Sequence, residues 1–124
     1  MNSSLQSALA KGGLIDLTTT GRRTGQARRI EIVFHVIDGR IVISGMPRRE
    51  KRAWLANIEA DPRVTIHLKR DVVADLPAHA RVISDPDERR RLLADVARAW
   101  GRTDLDTMIA YSPLVEVVPD DIAA

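Results

Sequence analysis

The chain has 124 residues, enough for one hydrophobic core and too few for two, so a single domain over residues 1–124 is expected. It contains no cysteine, which excludes disulfides, thiolate metal sites and a cysteine nucleophile, and suits the cytosol. Lysine and arginine number 19 against 17 acidic side chains, a surplus too small for a general polyanion binder, although its clustering matters locally.

Phe34, Trp54, Trp100 and Tyr111 are the whole aromatic complement. Single-stranded nucleic acid is usually held on aromatic platforms beside basic grooves, so so few aromatics argue against that partner. The opening MNSSLQSALAKGG has neither a long apolar run nor a cleavage pattern, and no later stretch reaches the length of a membrane span. A soluble, unprocessed cytoplasmic protein is expected.

Residues 4–11 read as one or two helical turns, stopped by Gly12-Gly13. Residues 14–20 form a first strand rich in β-branched side chains. The loop that follows, GRRTGQARR, packs Arg22, Arg23, Arg28 and Arg29 around Gly21 and Gly25. Glycines let the main chain curl closely around a target, and guanidinium forks grip two oxygens at once, so phosphate or carboxylate is the natural guest. Taken alone, the same segment also reads as a solvated hairpin turn.

Residues 30–37 alternate, with Ile30, Ile32, Phe34 and Val36 on one face. Asp38-Gly39 marks a two-residue hairpin turn, and Ile41-Val42-Ile43, apolar at consecutive positions, predicts a strand buried on both sides. Residues 44–47 lead into a helix ending near Asp61, before Pro62. The reading places Arg48, Arg49, Lys51 and Arg52 in that helix's first turns, where cations oppose the macrodipole by about 0.3–1 kcal/mol each. An anionic ligand would neutralise them.

Val64, Ile66 and Leu68 predict an inward face for the next strand. Residues 72–84 form another, where Pro77 predicts a bulge or an edge. Asp85-Pro86 with Glu88 makes a capping box that opens a helix with Leu92, Leu93, Val96 and Trp100 on its buried stripe, Arg89, Arg90 and Arg91 in solvent, and Gly101 as its stop. A short helix over 103–109 and a last strand over 114–118 complete a count of six strands and two substantial helices, typical of a small closed antiparallel barrel. His35, His67 and His79 fall on three strands without metal-ligand spacing, and read as satisfied or solvent-facing side chains rather than ligands. Tyr111 is a weak candidate proton donor, placed just before Ser112-Pro113.

Taken together, LTTTGRRTGQARR, DGRIVISGMP, and Trp54-x-x-Asn57 followed by Ala60-Asp61-Pro62 and a strand resemble the deazaflavin-dependent nitroreductase family. The likeness is good over residues 14–68 and weaker to Pro119. It implies a mainly β (α+β) fold, a six-stranded antiparallel split β-barrel related to flavin mononucleotide (FMN)-binding oxidoreductases, with two flanking helices. It implies coenzyme F420 and hydride transfer to a quinone, enone or nitroaromatic, with the coenzyme carrying the hard chemistry. By the same resemblance, Arg22, Arg23, Thr24 and Arg28 hold the coenzyme phosphate, Ser44, Gly45 and Met46 lie beside its ring, and Trp54 and Asn57 flank it. Arg48, Arg49 and Arg52 then face its polyanionic tail. Gly45 stands where many relatives carry lysine, so that charged contact is either absent or moved to Arg48 or Arg52. FMN on the same scaffold, and a non-enzymatic ligand- or nucleic-acid-binding barrel, are the competing readings. A homodimer paired through a sheet face is also expected.

Overall fold

The computed structural model describes residues 3–120, so the first two and last four residues of the expected domain lie outside the described residues. The described elements are α1 (Ser3–Lys11), β1 (Gly13–Thr20), β2 (Ala27–Ile37), β3 (Arg40–Ser44), α2 (Ala53–Ala60), β4 (Arg63–Lys69), β5 (Val73–Val82), α3 (Pro86–Trp100), α4 (Leu105–Tyr111) and β6 (Leu114–Pro119). The strands close into one barrel in the order β1-β2-β3-β6-β5-β4, and every neighbouring pair is antiparallel.

Strand register follows the apolar alternation. Leu76, Ile66, Leu17 and Ile30 stand side by side across β5, β4, β1 and β2, while Phe34, Ile43, Val115 and Val82 do so across β2, β3, β6 and β5. A one-residue slip would turn each of these side chains to solvent, which fixes the register. Ile41 and Ile43 point into the barrel, whereas Val42 faces a second core formed by Leu92, Leu93 and Val96 of α3 with Met108 of α4. The double burial expected for β3 is therefore produced by α3 and α4 packing on the outside of the barrel.

Local signals behaved as their chemistry requires. Asp38 and Gly39 both have positive φ, as a type I′ turn needs. Asp85 accepts from the Glu88 N–H at 2.9 Å, Pro86 opens α3, and Gly101 closes it in the left-handed conformation. Pro77 causes no bulge: it pairs with Thr65, and the ladder to β6 starts only at Ala78, so the proline occupies an edge stretch without a neighbour on that side.

Three expectations need correction. α2 begins only at Ala53, so Arg48, Arg49, Lys51 and Arg52 lie in the loop before it rather than in its first turns. Arg52 stays extended at the N-cap and makes no side-chain capping bond, which leaves no nucleus for an earlier start. The short helix expected over 103–109 spans Leu105–Tyr111 instead, so Tyr111 is its last residue. Arg89 is not on a solvated face. It is half-buried, and its guanidinium donates to the carbonyls of Ile83 (3.0 Å), Ile109 (2.9 Å) and Ser112 (2.7 Å).

Among the histidines, His67 bonds Thr18 Oγ1 and Asp75 Oδ1, both at 2.7 Å, and His79 bonds Asp120 at 2.7 Å. His35 packs on Trp100 with ring centroids 5.4 Å apart, and burial holds its imidazole below the ordinary histidine range. Each therefore has separate neighbours, and no cluster forms that could hold a metal ion among the described residues.

Candidate functional site

The loop of residues 21–26 is a closed turn. Gly21 N–H donates to the Gln26 carbonyl and Gly25 N–H to the Gly21 carbonyl, both at 2.8 Å, and Gln26 N–H reaches Thr24 Oγ1 at 3.2 Å. A Cβ on Gly21 would stand 3.0 Å from Thr24 Oγ1, and Gly25 has a φ of +71°, so any side chain at either position would disturb the turn. Arg22 and Arg23 are exposed on it. Arg28 pairs with Thr19 across the ladder and so rises on the same face as that buried threonine, at the barrel mouth.

α2 docks on this mouth through Asn57, which is 5% exposed. Its Oδ1 accepts the backbone N–H of Arg22 at 3.1 Å, and its Nδ2 donates to Thr19 Oγ1 at 3.1 Å. The amide thus fastens helix, strand and loop together. The result is a groove of about 410 Å³ whose lining includes Arg22, Arg23, Thr24, Arg28, Trp54 and Asn57. Among the described residues Arg22, Arg23 and Arg28 make no ion pair, whereas Arg29 is held by Asp16 at 2.9 Å. An unneutralised set of guanidiniums beside an indole suits a ligand carrying both an anion and a flat ring.

The other expected contacts lie around the loop from β3 to α2. Ser44 is 4% exposed and its hydroxyl donates to the Pro113 carbonyl at 2.7 Å, so its side chain is turned inward and braces β3 against β6. A Cβ on Gly45 would meet Pro113 Cγ at 3.0 Å and the Arg52 guanidinium carbon at 3.2 Å. Glycine therefore leaves the seat that Arg52 fills, and Arg52 Nη2 donates from there to the Met46 carbonyl at 2.6 Å. Burial, reinforced by the neighbouring charge of Arg48, holds the Arg52 pKa below the usual guanidinium value. The Met46 side chain is exposed, with its sulfur 3.4 Å from Arg102 Nη1.

Arg52 and Tyr111 line a second groove, of about 320 Å³, on the other side of the start of α2. Ser44, Gly45 and Met46 border neither groove. A cleft of about 450 Å³ under α1 lies at the opposite end of β1 and holds none of the expected residues. Thr19 was not expected at the site. The alternation Ile15, Leu17, Thr19 gives it an inward parity that marks a buried hydroxyl at the mouth.

The closed six-stranded antiparallel barrel is of the FMN-binding split-barrel type. Residues 2–112 match the family model described as F420H(2)-dependent quinone reductase, and the chain belongs to that family. It is an F420-dependent reductase, and its coenzyme is F420. Solved structures agree on the fold. A conserved hypothetical protein, Rv2991, from Mycobacterium tuberculosis is 22% identical over 97% of this chain and 81% of that one, with a TM-score of 0.71. An F420-H2 dependent reductase, FDR-A, is 20% identical over 85% of this chain and 93% of that one, with a TM-score of 0.64. A structure described as a domain-swapped dimer is 18% identical over 92% of this chain and 93% of that one, with a TM-score of 0.62. No described helix is long and apolar enough to cross a membrane.

Proposed function

We propose that the protein reduces an electrophilic small molecule, a quinone, enone or nitroaromatic, with the phosphodiester of F420 held by Arg22, Arg23, Thr24 and Arg28. The observation that carries this reading is the single groove shared by the arginine turn and α2, fastened by the Asn57 to Arg22 N–H bond. When bound and reduced, the coenzyme supplies a hydride, that is, two electrons and a proton.

The chain's own residues supply grip and placement. Arg22 and Arg28 offer forked donors to a phosphodiester, and the groove's indole, Trp54, gives a flat ring an apolar wall. Gly45, kept free of a side chain, leaves the seat from which Arg52 holds the Met46 carbonyl and so fixes the loop that leads into α2. Tyr111, whose ring lies 5.7 Å from the Arg49 guanidinium carbon, is the phenol available to donate a proton to the reduced acceptor. In a homodimer, which we include in this reading, a partner sheet face would narrow the open side of the groove.

Titration of the purified protein with F420 and, separately, with FMN tests the reading. Quenching of deazaflavin fluorescence that saturates at one coenzyme per chain, followed by coenzyme oxidation on adding a naphthoquinone, is expected. Binding of FMN alone would overturn it.

A further inference from the structure

The second groove, between residues 48–52, the β5–α3 connection and the α4–β6 turn, has a composition that coenzyme grip does not explain. Arg48, Arg49, Arg52 and Arg89 line it, and among the described residues none makes an ion pair. Lys51 is the cation there that is neutralised, by Glu59 at 2.6 Å. Glu50, on the same rim, pairs with none of the arginines. Arg89 is committed to backbone carbonyls and Arg52 to Met46, whereas the exposed Arg48 spends only its Nε, on the Glu50 carbonyl at 3.2 Å, and the exposed Arg49 stacks on Tyr111, so both keep terminal amines for a ligand.

Two further features point to a ligand. Ser112 lines the groove, is 4% exposed, and its hydroxyl has no hydrogen-bond partner, an uncommon state for a buried polar atom. Between the cations, Leu55, Val82, Ile83 and Pro113 supply apolar wall, and Tyr111 stands beneath Arg49. The hydrated polyanionic tail of the coenzyme, a run of glutamates in the family that the chain resembles, needs no such wall. An apolar ring carrying one negative charge uses all of it: cations for the charge, a hydroxyl for a polar edge, and aliphatic surface for the ring. The groove shares no lining residue with the one that holds the arginine turn.

We propose that this groove is a second ligand site, which takes small molecules bearing a carboxylate on an apolar ring, gripped by Arg48 and Arg49 with Ser112 on a polar edge of the ring. The proposal does not rest on the reductase reading, since its binding claim stands on the coenzyme-free protein.

The test uses 2-naphthoate and its neutral methyl ester as probes, titrated into coenzyme-free protein by calorimetry and by NMR shifts. Naphthoate is expected to bind at least about tenfold more tightly than the ester, the effect of one charge-assisted contact. Arg49→Ala and Arg48→Ala are expected to erase that preference while leaving ester binding unchanged, and Ser112→Ala to weaken both probes. Arg22→Ala, in the other groove, should leave the preference intact. Equal binding of the two probes overturns the proposal. So does a preference that vanishes with Arg22→Ala but survives Arg49→Ala, or displacement of naphthoate by a γ-glutamyl tripeptide, which would give the groove to the coenzyme tail. Should F420 fail to bind while the naphthoate preference persists, the reductase reading falls and the anion groove remains.

Discussion

Asn57→Ala removes the fastening between α2 and the arginine turn. The substitution deletes an acceptor 3.1 Å from the Arg22 N–H and a donor 3.1 Å from Thr19 Oγ1, in a side chain that is 5% exposed. Each intramolecular hydrogen bond contributes about 0.5–1.5 kcal/mol net, and the hydroxyl of the buried Thr19 is left without its partner, so a loss of roughly 2 kcal/mol is expected. For a domain of this size each kcal/mol corresponds to about 4 °C in Tm, which places the variant roughly 8 °C below wild type by calorimetry. The turn also loses its anchor, and F420 affinity should fall by about tenfold, since misplaced donors forfeit one charge-assisted contact. Asn57→Asp separates the two effects. It keeps an acceptor for Arg22 N–H and so recovers part of the Tm, yet it sets a negative charge in the groove and should bind F420 more weakly than the alanine variant. Wild-type Tm and wild-type affinity in Asn57→Ala would refute the fastening role.

Acid stability should depend on Glu88. Arg81 and Arg40 hydrogen-bond this carboxylate and lower its pKa from 4.5 to about 2, so its contribution is present above about 4.5 and is lost as pH falls towards about 2. Glu88→Gln should lower Tm at pH 7 and flatten its fall below pH 5; an unchanged profile would contradict the ion cluster. Gly45→Ala should cost about 1–3 kcal/mol by urea unfolding, because the methyl group meets the Pro113 ring and displaces Arg52. Arg89→Met should cost about 2–4 kcal/mol, since the carbonyls of Ile83, Ile109 and Ser112 lose their donor together, and Arg89→Lys should recover little because a point ammonium cannot span three directions.

Signals confined to a few neighbouring residues were legible in the sequence. The Asp38-Gly39 turn, the Asp85-Pro86-Glu88 box and the inward alternation of β2 and β4 each rest on local sterics or on a period of two. The start of α2 was not legible. Residues 48–52 are acceptable helix formers, and what keeps them out is the absence of a cap together with the Arg52 seat, which depends on Gly45 and Pro113. Arg89 escaped for a similar reason: its carbonyl partners include Ile109 and Ser112, distant in sequence, so nothing near it distinguishes it from Arg90 and Arg91. At the site, residue types pointed to an anion grip, but the division into two grooves depends on which side of α2 each residue faces. Ser44 illustrates the limit, because its hydroxyl is spent on Pro113.

The most direct test compares F420 with the deazaflavin riboside that lacks the phosphodiester, for wild type and for the Arg22→Ala/Arg28→Ala double variant, by fluorescence titration. Wild type should bind F420 at least about a hundredfold more tightly than the riboside, and the double variant should bring the two affinities together, as loss of two charge-assisted contacts requires. Equal wild-type affinities for the two, or a preference for F420 undiminished in the double variant, would contradict the assignment of the phosphate to the arginine turn.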